Sequence, residues 1–366
     1  MARKLKSDKL LFVSTLLLVC SSVVMVYSAS SQMAMDRYEV SYFFLFKQVT
    51  WAMLGVCLLL IAMQVDYHKL KRPAIIWVGL GISTLALVAV LFGPTINGTR
   101  RWFGIAGLGV QPSELAKVAV ILFVAAILER RMHRIDELSY SLLPVAVVTG
   151  VVTGLIYLEP DYGTALTLLL IVGAMVFAAG LSYRYLLGVS ATMVPLLVLA
   201  LASAPYRVRR LLAFLDPWAD PLGDGYQLIQ SQIAVGTGGV LGKGLMGGVQ
   251  TLGYLPYPHT DFIYAVISEE TGLIGASVVL LCFCTITWRG LRVAALAPDR
   301  FGALLAVGLT TMIAIQAFIN ISVVLGLMPT KGIPLPFVSA GGSSLLVCLL
   351  GMGVLLNISQ HASAGT

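Results

Sequence analysis

The chain has 366 residues, of which 58% are apolar and only 11% are Asp, Glu, Lys or Arg, whereas an ordinary soluble domain carries about 25% charged residues. So little charge cannot coat a water-soluble globule of this size, which excludes soluble enzyme folds, nucleic-acid readers and disordered chains. The net charge of +7 matters through its placement, because Lys and Arg positions set the orientation of a membrane protein.

A membrane-crossing helix needs about 20 mostly apolar residues. Ten such segments follow one another, near 10–29, 46–65, 74–93, 112–129, 141–158, 163–181, 185–203, 262–288, 302–327 and 336–358. The expected fold is an all-α polytopic membrane protein of ten transmembrane helices, forming one integral membrane domain over residues 1–366. The first segment, with Arg3, Lys4 and Lys6 before it and Ser28-Ala29-Ser30 after it, resembles a signal peptide. Its apolar run exceeds the usual 7–15 residues of a signal sequence, and nine more spans follow, so a retained helix is expected.

With the N-terminus in the cytoplasm, fourteen Lys and Arg fall in inner segments and five in short outer ones. Four more lie in a long outer loop, too long to weigh on topology, and Lys117 falls within a span. Both termini are therefore expected to be cytoplasmic. The long loop, about 204–261 between helices 7 and 8, is Gly-rich with semi-apolar pieces. Such a loop is expected to be structured, with short amphipathic helices at the outer mouth of the bundle. The five cysteines, Cys20, Cys57, Cys282, Cys284 and Cys348, lie in apolar runs without CxxC spacing and read as small core residues.

Four strings could carry chemistry. In Gln111-Pro112-Ser113-Glu114-Leu115-Ala116-Lys117, Pro112 suits a first helical turn and Glu114 and Lys117 share a face. Ionisable groups inside a span are costly; these two form an internal ion pair or line an anion-binding cavity. Arg100 and Arg101, just outside this helix, could join Lys117 as an anion clamp or meet lipid headgroups. In Glu159-Pro160-Asp161, a tight turn between two spans, Asp161 is expected mainly as a helix cap. In Pro258-His259-Thr260-Asp261-Phe262, Asp261 could be a general base of raised pKa, or Thr260 or Asp261 could cap the next helix. Glu269 and Glu270, two turns on, could line the same cavity, pair with Lys117 or brace the bundle. The last string, Pro329 to Ser344, has three prolines and three glycines. It reads as a broken or re-entrant segment, or a simple loop, with Lys331 a further anion contact. Basic and acidic groups thus converge on the outer mouth, where an anionic, phosphate-bearing or lipid-like ligand fits. No Walker motif is present, which speaks against ATP-driven transport.

These strings resemble the SEDS family (shape, elongation, division and sporulation), whose members include FtsW and RodA. The resemblance rests on Arg100-Arg101-Trp102 through Lys117; Glu159-Pro160-Asp161-Tyr162-Gly163-Thr164-Ala165; His259-Thr260-Asp261-Phe262-Ile263 with Glu269-Glu270; and Lys331-Gly332-Ile333-Pro334-Leu335-Pro336-Phe337 with Gly341-Gly342-Ser343-Ser344. Val26-Tyr27-Ser28-Ala29-Ser30 and Pro329-Thr330-Lys331-Gly332 lean towards FtsW-like members. Ala340, where the family usually has Tyr, and Thr271, where it usually has Leu, depart from the pattern without touching an ionisable position.

The resemblance implies a peptidoglycan glycosyltransferase in the bacterial cytoplasmic (inner) membrane. It would polymerise lipid II, a disaccharide-pentapeptide on undecaprenyl pyrophosphate, with the active site facing outward. It implies Asp261 as catalytic base, with Arg100, Arg101, Glu114, Lys117, Asp161, His259, Glu269, Lys331 and Ser343 binding substrate. A divalent cation, Mg2+ or Mn2+, could neutralise the pyrophosphate, although the sequence shows no dedicated cage. The implied partners are a class B penicillin-binding protein transpeptidase and divisome membrane proteins. The alternatives are an elongation-type polymerase of the same chemistry, a lipid II flippase and a structural scaffold.

Overall fold

The computed structural model describes residues 7–95, 99–105, 108–134, 137–185, 187, 188, 191, 195 and 205–362. The span expected over 185–203 lies almost wholly outside the described residues. The long helices are α1 (Lys9–Tyr38), α2 (Phe43–Gln64), α3 (Pro73–Leu91), α4 (Pro112–Arg131), α5 (Leu138–Leu158) and α6 (Tyr162–Ala178). After two shorter helices, α7 (Pro205–Leu215) and α8 (Tyr226–Gly238), come α9 (Ile263–Leu296), α10 (Arg300–Val324) and α11 (Gly342–His361). Seven of these are long and apolar enough to cross a membrane. Outside those seven, α4 carries Glu114, Lys117, Glu129, Arg130 and Arg131, and α6 has 17 residues.

The all-α expectation needs one correction. Phe103–Ile105 (β1) and Leu108–Val110 (β2) form a small antiparallel hairpin in the register Phe103↔Val110. Gly104 and Gly109 face each other across it. The apolar-run spans also misplace helix ends. The first helix continues to Tyr38 and the long one after the outer loop to Leu296. Apolarity marks where the hydrocarbon ends, while polar but helix-compatible residues such as Gln32, Arg289 and Arg292 carry a helix on into water. Conversely, α11 starts at Gly342 and not near 336, because Phe337 adopts φ 64°, outside helical backbone, and the amide of Ala340 is taken by the carbonyl of His259.

Polar ties gather both ends of the described chain at one end of the bundle. The amide of Asp8 donates to Ser359 Oγ (3.1 Å), and its carboxylate pairs with Arg289 and accepts from Leu10 and Leu11. The Tyr67 amide donates to Asn357 Oδ1 (3.0 Å), tying the α2–α3 connection to α11. Close approach by small residues joins α2 to α11: a Cβ on Gly353 would lie 2.6 Å from the carbonyl oxygen of Leu59.

At the opposite end, α9 is broken. Gly272 adopts φ 65°, a left-handed conformation that glycine takes without a steric penalty. The carbonyls of Glu269 and Glu270 accept instead from the amides of Lys243 and Gly244, at 3.0 Å each. Leu273 N donates back to the carbonyl of Gly239 (2.9 Å). The Gly-rich part of the long loop before α9 therefore packs into this break and replaces the missing helical bonds. Two short helices, α7 and α8, lie in this loop, and α8 packs on α9.

Candidate active site

The site is built where α4, α6, α9 and the α10–α11 connection meet. Asp161 caps α6: Oδ1 accepts from the Thr164 amide (3.2 Å), and Oδ2 accepts from the Thr164 hydroxyl and Gln111 Nε2 (2.9 Å each). The expected cap is present, and Gln111 adds a bond from the start of α4. Asp261 behaves differently. The position before α9 is Phe262, and no side chain caps that helix. Among the described residues the Asp261 carboxylate accepts no hydrogen bond, so it is free for other work.

The backbone under Asp261 is held firmly. Asn320, buried on α10, donates through Nδ2 to the carbonyls of Asp261 and Ile333, 2.8 Å each. Ser339 Oγ donates to the Thr260 carbonyl (2.6 Å) and accepts from the Leu335 amide (2.8 Å). Ala340 N donates to the His259 carbonyl (2.9 Å). The segment 329–341 is thus irregular and buried through Ile333, Leu335, Phe337 and Val338, as a broken segment requires. A Cβ on Gly332 would stand 2.9 Å from Asp261 Oδ2, and one on Gly163 would stand 2.9 Å from Ile333. Glycine at 332 thus leaves room for the Asp261 carboxylate, and glycine at 163 leaves room for Ile333 against the start of α6.

Charge tunes the half-buried Asp261. Burial and, after it, the nearby Asp161 carboxylate raise its pKa, Arg101 and Arg210 pull it down, and the balance lies at about 6. Burial lowers the pKa of Lys331, against which Asp161 acts in the opposite direction. Burial also lowers His259 to about 4, so its ring is neutral at pH 7. That ring packs on Phe44 (4.8 Å between centroids) and acts as an apolar wall, not as a cation for phosphate.

The expected residues separate into groups. Arg101 Nε donates to the carbonyl of Glu159 (2.9 Å) and Nη2 to that of Pro160 (2.5 Å), locking the α5–α6 turn beside Asp161. Arg100 turns the other way and donates to Leu91 O at the end of α3 (3.0 Å). The two therefore do not form a paired clamp, since each is committed to a different carbonyl partner. Lys117 Nζ and Glu114 Oε1 pair at 2.7 Å inside the bundle, both essentially without solvent exposure. This is the internal ion pair among the two alternatives. Ser343 Oγ accepts from the Gln111 amide (3.3 Å), joining α11 to the start of α4. Glu269 stands apart: it takes Lys243 Nζ (2.7 Å) and the amides of Val249 (3.0 Å) and Gln250 (3.2 Å). Glu270 accepts from Ser28 Oγ (2.6 Å). The paired glutamates pin the re-entering loop, and neither pairs with Lys117.

Four residues that bear on the site were not singled out from the sequence. Asn320 had the clearest signal, a primary amide inside an apolar helix. Gln111, Gly332 and Arg210 gain meaning only from what the fold sets beside them. Glu159 is fully buried with neither carboxylate oxygen hydrogen-bonded. Burial and Asp161 raise its pKa to about 8, opposed by Arg101. Among the described residues no group of three His, Cys, Asp or Glu side chains could hold a metal ion. Asp161 already spends its oxygens on Gln111 and Thr164, so the described residues do not make a metal cage.

The family model FTSW_RODA_SPOVE, described as "Cell cycle protein", matches residues 8–364. The chain belongs to this family. Among its FtsW/RodA/SpoVE relatives, "Probable peptidoglycan glycosyltransferase FtsW" of Geobacter sp. (strain M18) is 44% identical over 358 residues, 97% of each chain. "Stage V sporulation protein E" of Bacillus subtilis (strain 168) is 40% identical over 361 residues, 98% of this chain and 99% of that one. The fold is similar to a solved structure described as "Structural coordination of polymerization and crosslinking by a peptidoglycan synthase complex". Its TM-score is 0.79 at 31% identity, covering 98% of this chain and 99% of that one. It is also similar to the crystal structure of the rod shape determining protein RodA of Thermus thermophilus, with TM-score 0.72, 29% identity and 98% of both chains covered.

Proposed function

We propose that this chain is a peptidoglycan glycosyltransferase that polymerises lipid II on the outer face of the bacterial cytoplasmic membrane, in the manner of the FtsW-named relatives. The observation that carries the mechanism is the Asp261 carboxylate. It is held from behind by Asn320, accepts no hydrogen bond on its carboxylate oxygens among the described residues, and has a pKa of about 6. A carboxylate in that range is ionised at neutral pH yet basic enough to take a proton during reaction.

In the proposed step, Asp261 takes the proton of the acceptor sugar hydroxyl. The hydroxyl oxygen bonds to the anomeric carbon of the donor, and the bond from that carbon to the pyrophosphate oxygen breaks. Negative charge grows on the leaving pyrophosphate, where Arg101 and Lys331 offer pre-set positive charge. Asp161 shapes the field at Asp261 and anchors α6, and the Glu114–Lys117 pair keeps the helix behind the mouth polar and rigid.

The topology that accompanies this reading has ten spans: the seven apolar helices, α4, α6 and the segment over 185–203. Both termini are cytoplasmic, consistent with the Asp8–Ser359 tie between the ends of the chain. The outer mouth then holds Asp261. A class B penicillin-binding protein is the proposed partner, in keeping with a structural relative described as coordinating polymerisation with crosslinking. Division, shared with other divisome membrane proteins, is the proposed setting. The test is polymerisation of lipid II by the purified protein with its transpeptidase. Glycan strands from the wild type and none from a folded Asp261→Asn protein support the reading. Equal strands from both remove Asp261 from the chemistry.

A further inference from the structure

Helix α7 has an apolar stripe that nothing among the described residues covers. Val208, Leu211, Leu212 and Leu215 fall at i, i+3, i+4 and i+7, one face of a helix. They are 37%, 39%, 58% and 70% exposed. The main neighbour of α7 is the short turn Pro217–Ala219. Arg209 and Arg210 lie away from the stripe. Arg209 reaches Asp224 (3.4 Å), whereas Arg210 acts electrostatically on Asp261. A helix with leucines along one side and arginines along the other, in a chain otherwise built of spanning helices, matches a lipid surface: acyl chains for the leucines and phosphates for the arginines. Trp218, 67% exposed just beyond the helix, suits the same boundary.

We propose that α7 lies in the outer headgroup layer of the bilayer, its leucine stripe in lipid, and that this seating holds Arg210 at the mouth containing Asp261 as a contact for the phosphate of a lipid-linked substrate. The seating stands without the proposed activity, whereas the role of Arg210 rests on it. In this seating a phosphate-bearing lipid would approach laterally, its tail in the bilayer beside the stripe and its head at Arg210.

Spin labels test the seating in nanodiscs of phosphatidylglycerol and phosphatidylethanolamine. Leu212→Cys and Arg209→Cys are labelled singly in full-length protein with the exposed Cys20, Cys57 and Cys284 changed to Ala. The label at 212 should be relaxed by oxygen, which concentrates in lipid, and the label at 209 by a water-soluble nickel chelate. A 212 label relaxed by nickel as strongly as the 209 label, or shielded from both reagents by a protein surface, overturns the seating. This measurement reads the same whether or not the protein polymerises lipid II. The role of Arg210 is tested by kinetics. Arg210→Ala should raise the KM for lipid II several-fold more than it lowers kcat, and shift the acid limb of kcat/KM to higher pH because Asp261 loses a cation; Arg210→Lys should restore most of both. A fall in kcat alone, with the acid limb unmoved, contradicts it.

Discussion

Asn320 holds the main chain of Asp261 from the inside of the bundle, through an amide that also grips Ile333 at the same 2.8 Å. One side chain thus fixes two segments, 261 and 333, that arrive from opposite sides of α10. A buried carbonyl left without its donor costs about 1–3 kcal/mol, so Asn320 bears on both stability and geometry.

Asn320→Leu fills the same space and removes both donors. The protein should unfold at lower temperature in detergent, and kcat for lipid II polymerisation should fall by ~10²-fold, the cost of misplacing a catalytic group by about 1 Å. Thermal unfolding and strand synthesis on the same preparation check this. A loss of stability with full kcat would make Asn320 a brace only.

The pH profile follows from the raised Asp261. As a base it works deprotonated, so kcat/KM should rise with pH through about 6 and level off above it. Asp161→Asn removes a neighbouring negative charge and should move the limb to lower pH, while Arg101→Gln should move it higher. An acid limb identical in all three proteins would show that another group controls it.

Glu159 is buried beside Asp161 with a pKa near 8, so it is protonated at neutral pH. A carboxyl whose folded pKa lies above its unfolded value favours the folded state at low pH, and that contribution drains away as pH rises between about 4.5 and 8. Glu159→Gln keeps the shape without the titration. Its stability should be flatter over this window, with activity at pH 7 retained. Denaturation at several pH values measures it, and a Gln variant as pH-sensitive as the wild type refutes it.

Gly332→Ala puts a methyl 2.9 Å from Asp261 Oδ2, so the carboxylate must move. The expected result is a folded protein with kcat lowered at least tenfold and a Tm close to wild type. Unchanged kcat would show that the carboxylate has room to shift without loss.

Much of this was legible in the sequence because lipid imposes a simple rule: apolar runs of spanning length become helices. Asp161 read as a cap because a carboxylate before Tyr162-Gly163-Thr164 has few other uses at a helix start. What stayed hidden depends on contacts between distant segments. Glu269 looks like a cavity acid from its position in an apolar helix, yet it pins Lys243, Val249 and Gln250, because Gly272 breaks the helix and lets the loop in. Arg100 and Arg101 look like a pair, but one reaches back to Leu91 at the end of α3 and the other to Glu159 at the end of α5. The hairpin at 103–110 is too short for periodicity to reveal. The freedom of Asp261 was also undecidable from spacing, since Thr260-Asp261 is a good cap by composition; only the absence of a capping bond in α9 separates the two uses.

The most direct measurement is lipid II polymerisation in liposomes by the wild type and by Asp261→Asn, each co-purified with the transpeptidase and each matched for thermal stability. Wild-type glycan strands, with at least a ~10²-fold loss in the Asn variant, the lower range expected for a general base, are the predicted result. Strands made equally by both proteins would contradict the account at its centre and leave Asp261 a structural residue.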